Sequence, residues 1–186
     1  MQVLYGAEDP AVPLRYGCYD ERRFGLKTIP RRLITLPGTK PLAPVQWPFK
    51  AFYLYGAVEP LTGESFFLEF SHHDSDCFQI YLEHLAQHHP HTLHIIQLDN
   101  ASSHSAKKLE LPENIVLMFQ PPYSPELNPI ERLWQHMKEH LSWVLFSSLD
   151  SLRQIVTEIL HDLTPQTIRS LTGYPFILCA LKHANI

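Results

Sequence analysis

Acidic side chains stand where short apolar runs of this sequence stop. Ile95-Ile96-Gln97-Leu98 ends on Asp99-Asn100-Ala101, and Ile115–Phe119 leads through the proline-rich run Gln120–Pro129 to Glu131. A third acid, Asp20, follows the apolar stretch Tyr16-Gly17-Cys18-Tyr19. Ionised carboxylates are acceptors only. Three of them converging without a cysteine suit hard cations such as Mg²⁺ or Mn²⁺. Each acid also has a plainer reading. Asp99 could cap a helix or close a turn, although an acid abutting a buried strand is costly unless paired or metal-bound. Asp20 could pair with Arg22 or Arg23, and Glu131 could sit in a first helical turn favoured by the helix dipole. Glu126 is a rival third acid, placed less well within the turn. Glu21 neighbours Asp20 and so points to the opposite face of a strand.

The turn that delivers Glu131 is stiff. Pro121, Pro122 and Pro125 fix the chain, Asn128 is suited to N-cap a helix, and Pro129 fits its first position, which puts Glu131 at the third. Trp134 and Lys138 then share the broad helix face of Glu131. Trp134 reads first as core and second as a stacking group; Lys138 can reach a phosphate or simply be solvated. His84/His88 and His136/His140 have the spacing of metal-ligand pairs, which is common by chance in a chain with 12 histidines.

The elements that must hold these residues follow from pattern and punctuation. Residues 1–14 show no period and read as an N-terminal arm. Tyr16–Leu26 reads as a strand carrying Asp20. Five prolines between Thr28 and Pro48 exclude a helix there and leave a loop or ragged hairpin. Ala51–Val58 and Ser65–Phe70 are strands joined by the turn Pro60–Gly63. A helix capped by Asp74 or Ser75 runs to about His88, and Leu93–Leu98 is a strand buried on both faces. Ser103–Leu109 suggests a short helix, Ile115–Phe119 another buried strand, and Leu127–Val144, Ser151–Leu163 and Pro165–Leu171 three more helices. Hairpin strands followed by alternating helices and strands imply an α/β fold, a mixed central sheet flanked by helices.

Composition narrows the class. The chain has 186 residues, enough for one domain with a real core. No run of 18 apolar residues and no basic-then-apolar leader is present, so a cytoplasmic protein is expected. Three widely spaced cysteines read as reduced core residues. The net charge of −4 argues against a general polyanion binder, but seven of the 15 Lys and Arg residues crowd between Arg15 and Lys40. Phosphate binding needs local potential, not net charge.

The motifs are more specific than the pattern. Asp-Asn-Ala-x-x-His at Asp99–His104 and Pro-Pro-Tyr-Ser-Pro-Glu-Leu-Asn-Pro-Ile-Glu-x-x-Trp-x-x-x-Lys at Pro121–Lys138 resemble the catalytic core of DDE-type transposases of the mariner-like bacterial insertion sequences, within the DDE superfamily endonucleases. Tyr19-Asp20-Glu21, Gly38-x-Lys40-Pro41 and Gly56–Gly63 match the same pattern. The resemblance covers roughly Tyr16–Leu145. It implies a ribonuclease H-like fold over residues 15–186 and a catalytic, metal-binding triad of Asp20, Asp99 and Glu131. It further implies Mg²⁺, replaceable by Mn²⁺, serving cleavage and joining of DNA strands. Arg22, Arg23, Lys40, His104 and Lys138 are the expected DNA contacts, with His104 near the scissile phosphate. Family members act as dimers on paired ends and usually carry a helix-turn-helix before the core. This chain leaves no room for one, so a separately encoded DNA-binding subunit is expected. Only 31 residues separate Asp99 from Glu131, slightly fewer than is usual in the family. The competing reading is a decayed or domesticated domain that binds DNA or a partner without catalysis.

Overall fold

Residues 12–32, 34–101, 109–184 and 186 are described by the computed structural model. Side-chain alternation decides how the long first strand, β1 (Leu14–Gly25), is used. Tyr16, Cys18 and Phe24 fall on one face and join a core with Ile130, Leu133, Trp134 and Met137. Tyr19 falls on the other, its ring 5.1 Å from that of Phe78 and 4.9 Å from that of Tyr81. One strand thus serves two cores, which is what period-two geometry allows at the centre of a sheet.

Around it run β2 (Ala51–Val58), β3 (Ser65–Phe70), α1 (Ser75–His88), β4 (Leu93–Leu98) and β5 (Ile115–Phe119). A 3₁₀ turn (Pro125–Leu127) precedes α2 (Ile130–Leu141), α3 (Leu149–Asp162), α4 (Pro165–Thr172) and α5 (Pro175–His183). The sheet order is β3-β2-β1-β4-β5. The β1–β2 and β2–β3 pairs are antiparallel, and the β1–β4 and β4–β5 pairs parallel. This is the expected mixed sheet, with α1 against one face and α2 and its companions against the other. Asp74 caps α1 by accepting from the Cys77 amide at 2.9 Å. No described helix is long and apolar enough to cross a membrane.

Two expectations need correction. The single helix over Leu127–Val144 is a 3₁₀ turn followed by the shorter α2. Asn128 is extended (φ −98°, ψ 104°), as steric conflict with a following proline requires. Its amide does not cap the helix; Pro129 occupies the cap position, so Glu131 is the second helical residue. Helix α5 lies beyond the expected elements. Its Pro175 fits a first turn, and Ile177 and Leu181, one turn apart, are buried. The expected helix at Ser103–Leu109 falls almost wholly outside the described residues.

Gly56 of β2 lies opposite Asp20 of β1. A Cβ there would stand 2.5 Å from Phe67 Cε1 and 3.0 Å from Trp134 Cη2. The bare backbone lets both rings close over the strand at the level of the acid. Gly56→Ala should therefore cost about 1–3 kcal/mol by overpacking. The urea midpoint is expected to fall with an unchanged slope.

Candidate active site

Strand register brings the first two acids together. Cys18 and Gln97 form the last pair of the parallel β1–β4 ladder, so Asp20 and Asp99 each stand two residues past it on neighbouring strands. Beyond this point β1 stays paired with β2 as far as Gly25, whereas β4 ends at Leu98. The strands fork, and the start of α2 closes the gap. A cavity of about 400 Å³ results, lined by Asp20, Asp99 and Glu131 together with Asn100, Gln120 and Tyr123.

A buried polar network straps the proline-rich turn across the strand ends. The Gln97 amide donates to the Leu127 carbonyl at 2.9 Å and to Gln120 Oε1 at 3.2 Å, while its own Oε1 accepts from the Tyr16 hydroxyl. Asn128 Nδ2 donates to the Tyr19 carbonyl at 2.8 Å, and Asn100 Nδ2 to the Gln120 carbonyl at 2.6 Å. Asn128 thereby joins the start of α2 to the residue before Asp20. Tyr123, wholly exposed at the rim, holds a left-handed φ of 58°.

The acids differ in setting. Asp20 accepts from the Trp134 indole Nε1–H at 2.9 Å, not from Arg22 or Arg23. Burial pushes its pKa up to about 7, helped by Glu131 and Glu21 and opposed by hydrogen bonds from the Glu21 backbone and Trp134. Asp99 is exposed, and its Oδ1 accepts from the Ala101 amide at 2.9 Å. Glu131 is half-buried in the first turn of α2. Glu21 points the other way, as expected, and accepts from the Tyr19 hydroxyl at 2.7 Å. Glu126 is exposed and does not line the cavity.

All-oxygen acceptors around one cavity fit a hard cation in chemistry. Among the described residues, however, no three His, Cys, Asp or Glu side chains form a group that could hold an ion as they stand. Of the expected DNA contacts, Arg22, Arg23 and Lys138 line a neighbouring cavity. Arg23 Nη2 also donates to the Phe49 carbonyl at 2.8 Å. Lys40 is exposed in the segment between β1 and β2 and lines neither cavity. His104 lies outside the described residues. Sequence reasoning missed Gln97, Gln120 and Asn100, and it gave Trp134 no polar role. A glutamine within an otherwise apolar strand was the signal available for Gln97.

The model of the DDE superfamily endonucleases matches residues 15–153. The chain belongs to the DDE superfamily endonucleases. It is 38% identical over 102 residues to an uncharacterized protein of Sinorhizobium fredii, covering 54% of this chain and 76% of the relative. It is 30% identical over 98 residues to the transposable element Tcb2 transposase of Caenorhabditis briggsae, covering 44% and 36%. Among solved structures, the Mos1 strand transfer complex matches with TM-score 0.67 and 19% identity over 84% of this chain and 50% of that one. The Mos1 paired-end complex with Mn matches with TM-score 0.64 and 20% identity over 84% and 51%. The fold of this DDE endonuclease is accordingly ribonuclease H-like. The chain spans about half the length of those transposase chains.

Asp20 binds its proton more tightly folded than unfolded. Between about pH 4 and about pH 7 the folded state carries the extra proton, so stability falls as pH rises across that window. In metal-free buffer, Asp20→Asn should remove this slope. Urea titrations should show the variant more stable than wild type at pH 8 and close to it at pH 4.

Proposed function

We propose that residues 15–186 are the catalytic domain of a transposase, with residues 1–14 as an arm, and that the domain cleaves DNA and transfers the freed strand. The observation that carries this reading is one cavity holding Asp20, Asp99 and Glu131 at a fork of parallel strands, in a chain of this family. Asp20, Asp99 and Glu131 are the catalytic residues and would hold two divalent ions, Mg²⁺ or Mn²⁺. Such ions, when bound, activate the attacking oxygen and stabilise the leaving one. The titles of the neighbouring structures, which print Mn and Mg with Mos1, agree with that choice.

The chain's own residues do the positioning. Trp134 holds one oxygen of Asp20, so the other is left for the cavity. Asn128 and Gln97 fix the height of the proline turn, and with it Glu131. Asp99 sits on the free end of β4 and adjusts most easily. Mutual repulsion among the acids is relieved by bound cations, which draws the side chains inward. Arg22, Arg23, Lys40, His104 and Lys138 meet the phosphates. Element ends and target DNA are the substrates, a homodimer the working unit, and a separately encoded helix-turn-helix subunit the source of sequence recognition.

Asp99→Asn and Glu131→Gln should each abolish Mg²⁺-dependent nicking of supercoiled plasmid while leaving the folded protein intact by circular dichroism. Unchanged nicking in either variant would remove that residue from the catalytic set. Wild-type protein that neither nicks nor joins DNA with Mg²⁺ or Mn²⁺, supplied with matching terminal repeats, would favour a domain that only binds.

A further inference from the structure

A second cavity, of about 340 Å³, opens between β1 and the C-terminal half of α2. Arg22, Arg23, Lys27 and Lys138 line it, and no carboxylate does. Its wall is apolar, with Val144 and Phe146 facing the cations. Neither the Arg22 nor the Lys138 side chain has a hydrogen bond or ion pair with any described residue. Exposed cations in this protein find partners where acids are near, as Arg31 does with Glu139 at 3.0 Å and Arg153 with Glu69 at 2.6 Å. Half-buried like charges gathered against a low-dielectric wall repel one another and focus a positive field into the cleft. Such a site is completed by an anion.

The two cavities share a frame. Asp20 and Arg22 project from the same face of β1, two residues apart, about 7 Å along the strand. Glu131 and Lys138 lie seven residues apart on α2, about 10 Å along the helix axis. Trp134 stands between them on that helix, fully buried. An anion in the basic cavity therefore sits about 7–10 Å from the acid cavity, which is about two to three base steps at the ~3.4 Å rise of one DNA strand. We infer that the basic cavity seats a backbone phosphate of the same DNA strand that enters the acid cavity, two to three nucleotides from the reacting one. Arg22 and Lys138 are its principal ligands, with Lys27 and Arg23 at the rim. This rests on the transposase reading for its choice of polyanion, whereas the anion site itself does not.

The test measures binding without chemistry, in EDTA, by fluorescence anisotropy of a labelled oligonucleotide of arbitrary sequence. The double variant Arg22→Gln/Lys138→Gln should weaken binding at low salt by at least about tenfold, and the slope of log Kd against log salt should fall by about two. Lys182→Gln, an exposed cation on α5, is the control and should bind like wild type. A single methylphosphonate placed two or three nucleotides from a pre-formed nick should weaken wild type and leave the double variant unaffected. An unchanged salt slope in the double variant, or a methylphosphonate effect equal in both proteins, would overturn the proposal. Should the double variant fold poorly, ¹⁵N-arginine NMR of wild type serves instead. The Arg22 Nε signal should shift on adding the oligonucleotide; failure to shift overturns the assignment. A shift with inorganic phosphate or an acidic peptide but not with DNA would make this a small-anion or peptide site and also overturn it. Wild type that binds no DNA at any salt would defeat the transposase reading itself, an outcome distinct from a normal affinity carried by other residues.

Discussion

Everything at the acid cavity depends on a handful of buried amide hydrogen bonds that tie a turn to three strand ends. The proline-rich run cannot dock by hydrophobic burial alone, because it is mostly exposed and its prolines lack N–H donors. Gln97 and Asn128 supply the missing polarity from below. Each is buried, and each donates to a main-chain carbonyl that would otherwise be desolvated without a partner. Replacing either by an apolar residue would leave that carbonyl unpaired and release the turn. Glu131 would then lose its fixed height relative to Asp20.

The three carboxylates are held unequally, and the inequality has a structural origin. Asp20 lies on a strand that is paired beyond it and is gripped by a buried indole. Asp99 lies on a strand that has just ended and faces solvent. Glu131 rides on a helix whose first turn is fastened by Asn128. A frame with one immobile acid and two adjustable ones can accept charge at its centre without rebuilding the sheet. It also separates the electrostatic cost of crowding acids, which falls mainly on Asp20, from the packing that keeps the domain folded.

Much of this was legible in the residues. Apolar runs, turn prolines and the Asp-Asn-Ala and Pro-Pro-Tyr-Ser-Pro signatures marked the strands, the turn and the acids, because each is a local signal with a local cause. The register that places Asp20 beside Asp99 was not legible, since it depends on which strands pair. Nor was the role of Asn128. Its identity suggests a helix cap, yet the following proline holds it extended and frees its amide for a carbonyl 109 residues away in sequence. Trp134 read correctly as core, but nothing local shows that its one polar atom meets an acid from another element. Helix α5 was missed because its apolar run is short and nearly continuous, so periodicity was weak.

The two-faced use of β1 carries one more consequence. Odd and even residues of this strand have separate duties: Tyr19 and Glu21 serve the α1 layer, while Cys18, Asp20 and Arg22 serve the α2 layer. Loss or gain of a single codon before Tyr19 would leave an aromatic, hydrogen-bondable strand able to stay in the sheet, but with every side chain turned to the other side. The acid and the adjacent cation would leave their cavities together. Copies of this gene drifting without selection can therefore fall silent in one step that barely disturbs folding, and a reading frame intact through β1 is a sharper sign of a working copy than the presence of the three acids.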